Sequence, residues 1–163
     1  MFLLDTDLLL DLRLGEAGGC PAGLISWAGG AARQRLFLSA LSLMELERGA
    51  AAAAQERSKD AALAWRQWID EQLLPAFEGR VLPIDAAVAR KQAELPHADI
   101  RDALLAATAL THNLTLATYR ATQLRHARLK TFDPRGYAEE MDSDWREATR
   151  TGSAWLKNLF VRA

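Results

Sequence analysis

This chain predicts a three-layer α/β/α fold: a parallel sheet of about five strands with helices on both faces, plus a C-terminal helical extension. Short apolar runs alternate with longer stretches of helical apolar spacing as far as Phe132. Carboxylates stand at the ends of several of these elements, as at Asp5, Glu45 and Asp102. Beyond Asp133-Pro134-Arg135-Gly136, a stop signal, the spacing changes to an a/d-like seam. The expected division is therefore one domain over 1–134 and an extension over 135–163.

Met1 to Leu4 is an unbroken apolar run and predicts a buried strand. Thr6 to Leu14 predicts a helix with leucines at 8, 9 and 12. Glycines 15, 18 and 19 mark a loop, and Pro21 suits the first turn of a helix running to about Arg33. Leu36 to Ser39 is a second strand. Ala40 to Ala54 and Gln55 to Ala76 are helices, the second presenting Leu63, Trp65, Trp68, Ile69 and Leu73 on one face until Pro75 ends it. Arg80 to Ile84 is a third strand, and Asp85 caps the helix Ala86 to Glu94. The next helix runs through His112, with Asn113 as its left-handed cap. Leu114 to Thr118 and Leu129 to Phe132 complete the strands. In the extension, Ala138, Met141, Trp145, Ala148, Gly152, Trp155 and Leu159 form the seam, read as docking on its own domain.

The 163 residues suffice for one sizeable core. Half of them are hydrophobic and 25% are charged, as in ordinary soluble domains. A net charge of −1 provides no global basic field, so nucleic acid would need a local patch. The lone Cys20 forms no internal disulfide and fits a reducing, cytoplasmic setting. Asp5, Asp7 and Asp11 interrupt the apolar N-terminus, which argues against a signal peptide or membrane span. His97, His112 and His126 lack zinc spacing and are read as structural, as is Cys20. The five tryptophans are assigned to packing.

Each acidic residue has an ordinary explanation. Ser42-x-x-Glu45 matches a capping box. Asp99 and Asp102 suit the N-cap and third position of a helix. Asp5 suits the cap of the first helix. Together, however, carboxylates at successive strand–helix edges of one sheet converge on one crevice. Their mutual repulsion there is relieved by a hard divalent cation.

These residues resemble a PIN domain, in particular the VapC-type toxins of bacterial toxin–antitoxin pairs. The matching stretches, in family order, are Leu3-Leu4-Asp5-Thr6-Asp7-Leu8-Leu9, Ser42-Leu43-Met44-Glu45-Leu46-Glu47-Arg48-Gly49 and Val81-Leu82-Pro83-Ile84-Asp85. Asp102-Ala103-Leu104-Leu105-Ala106-Ala107-Thr108-Ala109-Leu110 and Leu114-Thr115-Leu116-Ala117-Thr118 follow. The resemblance covers roughly residues 1–134. It implies a PIN-like fold and a metal-dependent endoribonuclease in which Asp5, Glu45 and Asp102 are catalytic and hold Mg²⁺ or Mn²⁺. Thr6, Asp7, Asp99, Thr118 and Gln123 are possible supporting residues. Gln123 stands where the family has a fourth carboxylate, and Arg120 where it has Asn. The resemblance also implies an RNA substrate, a homodimer and inhibition by a protein antitoxin.

Arg120, Arg125, Arg128 and Lys130 lie within a stretch free of Asp and Glu and are the candidate RNA-binding patch. Arg120 could instead reach into the carboxylates and mimic the metal. A catalytically impaired PIN domain that only binds RNA or a partner is therefore the alternative. A dehalogenase-like phosphatase, suggested by Asp5-Thr6-Asp7, lacks a suitable lysine.

Overall fold

The computed structural model describes residues 1–15, 18–56, 59–95, 99–124, 128–138 and 159. Five strands appear in the expected order: β1 (Phe2–Leu4), β2 (Leu36–Ser39), β3 (Val81–Leu82), β4 (Thr115–Ala117) and β5 (Thr131–Phe132). They form one sheet ordered β3-β2-β1-β4-β5, parallel throughout. Leu3 pairs with Phe37 on one side and with Leu116 on the other. β1 is thus central, and the chain's direction across the sheet reverses beside it. Crevices at such reversals open at the carboxyl ends of the strands.

The helices are α1 (Thr6–Leu14), α2 (Ala22–Gly30), α3 (Ala40–Glu56), α4 (Lys59–Trp68), α5 (Leu74–Ala76), α6 (Ala86–Ala93) and α7 (Ile100–Thr111). Successive side chains on a strand point to opposite faces, and β1 obeys this. Leu4 packs with Leu8, Leu9, Leu12 and Leu24 on one face, while Leu3 packs with Val88, Leu105 and Ala106 on the other. Leu8, Leu9 and Leu12 are fully buried, each worth roughly 1.5–3 kcal/mol relative to exposure. This burial fixes the start of α1, and hence Asp5, against the sheet.

Between α4 and α5 the helix widens into a π turn at Ile69–Leu73. Pro75 offers no N–H to the preceding turn and its ring crowds the carbonyl four residues back, so the widening lets the helix reach Ala76. Gly49 lets α3 approach α4 closely, since a Cβ there would lie 2.8 Å from the Trp65 ring. Asp85 caps α6 and Asn113 takes the left-handed conformation, both as expected.

Two expectations are corrected. Leu63 is exposed, because the buried face of α4 and the π turn is centred on Trp68, Ile69 and Leu73. Ser42 caps nothing: α3 already begins at Ala40, and Ser39 Oγ accepts from Leu41 N instead. Most of the extension, including Trp145 and Trp155, lies outside the described residues, as do His97, Arg125 and His126. Leu159 is described and fully buried, and its carbonyl accepts a hydrogen bond from Trp68 Nε1 at 2.7 Å. No helix among the described residues is long and apolar enough to cross a membrane.

Candidate active site

Three helices begin at the carboxyl edge of the sheet. α1 and α3 follow β1 and β2, and α7 runs back to β4, so their N-terminal ends surround one crevice. Helix N-termini favour negative charge, and each supplies a carboxylate there.

Asp5 caps α1 and is fully buried. Its Oδ1 accepts from the Thr6 amide at 2.8 Å and its Oδ2 from the Thr118 hydroxyl at 2.7 Å. Thr118, itself fully buried, therefore orients Asp5 from the end of β4. Glu45, in the second turn of α3, accepts from the Thr6 hydroxyl. A single threonine thus joins two carboxylates, by its amide to one and its hydroxyl to the other. Asp102 sits in the first turn of α7, which Asp99 caps through the amides of Arg101 and Asp102.

Two arginines draw these carboxylates together. Arg120 Nη1 bonds Asp102 Oδ1, and its Nη2 bonds Asp5 Oδ2 at 3.1 Å. Arg101 Nε pairs with Glu45, and its Nη2 lies 3.7 Å from Asp5 Oδ1. Asp5 is therefore shared by both guanidiniums. Burial opposes the charge of Arg120, but Asp5 and Asp102 outweigh it and raise its pKa. Burial raises the pKa of Asp7, and the negative charges of Asp5 and Glu45 add to this against Arg101 and Arg120.

Beside the cluster lies a groove of about 500 Å³. Leu10, Leu41, Met44, Ile100 and Leu104 form its apolar wall, and Asp7, Glu45, Arg48 and Arg101 its polar edge. Met44 and Ile100 are largely exposed.

The remaining candidates stand further out. Asp99 acts as a helix cap. Gln123 is exposed in the turn after β4, and no hydrogen bond among the described residues links it to the carboxylates. Arg128 and Lys130 are exposed. Arg101 was not a candidate from the sequence, although a signal was present. A cation in the first turn of a helix opposes the dipole and needs nearby carboxylates to offset it.

Asp5, Glu45 and Asp102 offer hard oxygen donors, the kind Mg²⁺ and Mn²⁺ prefer. In this arrangement, however, no group of acidic, His or Cys side chains among the described residues forms a ready metal cluster. Guanidiniums bridge the carboxylates instead. The donors fit such a cation in kind.

A buried aspartate after the central strand, flanked by carboxylates from two further helices at a parallel-sheet crevice, defines a class of α/β proteins. The family model described as PIN domain matches residues 3–129, and the chain belongs to that family. It is similar to toxin FitB of Neisseria gonorrhoeae, 28% identical over 142 residues, which cover 82% of this chain and 98% of that protein. It is equally similar to VapC ribonuclease Y4jK of Sinorhizobium fredii, 28% identical over 143 residues, with 82% and 97% covered. The solved structure of FitAcB from Neisseria gonorrhoeae matches with a TM-score of 0.72 at 27% identity, covering 82% of this chain and 98% of that one.

Proposed function

We propose that this chain is a metal-dependent endoribonuclease toxin that hydrolyses RNA phosphodiester bonds and is neutralised by a cognate protein antitoxin. The supporting observation is the linkage of Asp5, Glu45 and Asp102 into one hydrogen-bonded and ion-paired cluster at the crevice. These carboxylates are the catalytic residues and would hold Mg²⁺ or Mn²⁺. When bound, the cation supplies an acidified water and neutralises charge developing on the phosphate. The protein's part is positioning. Thr118 and Thr6 fix the carboxylate oxygens, Asp7 adds negative charge at the rim, and a carboxylate of the cluster takes the proton of the attacking water. Arg120, Arg125, Arg128 and Lys130 hold RNA phosphates, so binding weakens as salt rises.

An antitoxin accords with the chain's similarity to FitB, which is itself named a toxin. The apolar groove beside Glu45 offers a partner segment somewhere to seat. The homodimer remains part of the same proposal. So does the division at residue 134, with the extension packed on its own domain as the Trp68–Leu159 contact supports.

The test is cleavage of total RNA and of tRNA with Mg²⁺ or Mn²⁺, comparing the natural chain with Asp5→Asn and Asp102→Asn. Cleavage should require the metal and fall by on the order of 10³-fold or more in both variants. Cleavage that survives both substitutions contradicts the assignment. A second reading, an impaired PIN domain that binds RNA or a protein without cutting, is favoured specifically by the guanidiniums seated among the carboxylates. RNA binding without cleavage at any metal concentration would select it.

A further inference from the structure

Arg101 and Arg120 occupy the carboxylate oxygens that a divalent cation at this site would require. Together they touch all three acids: Arg120 spans Asp5 and Asp102, and Arg101 spans Glu45 and Asp5. The two guanidiniums offset part of the negative charge of the three acids and of Asp7 at the rim. A divalent cation added with both arginines in place would be set against like charges within contact distance.

The bridge is not built as a permanent one. Arg120 Nε is buried without an acceptor among the described residues, so its fork is only partly satisfied. Arg120 stands on the turn after β4, and its side chain is 22% exposed. Arg101, 33% exposed, borders the open groove and stands where the α7 dipole disfavours its charge. Both side chains can leave toward solvent without unpacking the sheet.

We propose that Arg101 and Arg120 are displaceable internal counter-cations: they hold Asp5, Glu45 and Asp102 in register until a divalent cation drives them out, and the released guanidiniums then take an RNA phosphate. Metal entry and substrate binding are thereby coupled. A guanidinium freed at the crevice mouth presents a planar fork suited to phosphate oxygens. This inference rests on the nuclease reading of the site and adds to it that metal affinity is limited by the protein's own arginines.

The experiment is calorimetric titration of Mn²⁺ into the full natural chain, Arg120→Ala, Arg101→Ala and Asp5→Asn. Arg120→Ala should bind Mn²⁺ at least about tenfold more tightly, Arg101→Ala more tightly by a smaller factor, and Asp5→Asn weakly or not at all. Nitrogen-15 arginine spectra of the natural chain provide a reading independent of variant folding. Saturating Mg²⁺ should move the Nε–H signals of Arg101 and Arg120 into fast exchange with water. If both arginine variants bind no tighter and these signals stay unchanged while Asp5→Asn abolishes binding, the displacement is overturned and the metal site stands. If no form of the chain binds Mn²⁺, both the displacement and the nuclease reading fall.

Discussion

Two pairs of arginines sit at opposite ends of the same sheet. Arg33 and Arg80 lie at the amino ends of β2 and β3, and Arg101 and Arg120 at the carboxyl edge. Arg33 donates to the carbonyls of Pro75 and Ala76. Arg80 donates to those of Arg33, Leu36 and Ala76. Their partners are backbone acceptors at the end of α5 and the start of β2, groups that carry no charge to trade for a metal. Burial, aided by repulsion from Arg33, lowers the pKa of Arg80, whereas the carboxylates raise that of Arg120. The same side chain thus serves as a fixed staple where it meets carbonyls and as an exchangeable cation where it meets carboxylates. The first role contributes stability whatever the metal, and the second links stability to metal concentration.

Arg80→Ala sharpens this contrast most. It strips donors from three carbonyls and should cost about 3 kcal/mol, read by denaturant unfolding. The loss should be the same with and without Mn²⁺. Arg120→Ala should instead show a deficit in metal-free buffer that Mn²⁺ reverses. A metal-dependent Arg80 variant, or a metal-blind Arg120 variant, breaks the distinction.

Trp68→Phe probes a smaller effect. It keeps most of the buried ring and removes the donor to the Leu159 carbonyl, costing about 1 kcal/mol. That loss should vanish when residues 139–163 are deleted, because the acceptor goes with them.

Asp133 gives the smallest effect. Its hydrogen bond from Arg135 lowers its pKa below the ordinary 3.8. A depressed carboxylate pKa contributes stability above the unfolded value and loses it as the pH falls through the folded value. Asp133→Asn should therefore cost no more than about 0.5 kcal/mol at pH 7, since the pair is solvent-screened. Thermal melts should show that difference disappearing in strong acid, below the folded pKa.

The sheet was legible because short, mostly apolar runs alternate with longer stretches of helical apolar spacing. Asp5 and Asp102 were legible because carboxylates at element ends on one sheet edge must converge. Glu45 was legible by position, but the capping box offered for it was not real. A Ser-x-x-Glu spacing does not reveal that the helix has already begun at Ala40, and only the fold brings Thr6 and Arg101 to that glutamate. Arg101 went unnoticed because its partners are 96 and 56 residues earlier in the chain, counted from Asp5 and Glu45. Thr118 stood among the supporting residues without an assigned contact, because its bond to Asp5 depends on the pairing of β1 with β4. Leu63 misled because apolar spacing shows a stripe without showing how much of it is covered.

Displacement of the arginines can be seen in a crystal structure of the full chain grown with Mn²⁺, using anomalous scattering to locate the ion. A manganese peak is expected among Asp5, Glu45 and Asp102, with the Arg120 guanidinium turned out of the cluster. Arg120 still bridging Asp5 and Asp102, with manganese absent from the crevice at saturating concentration, would contradict it.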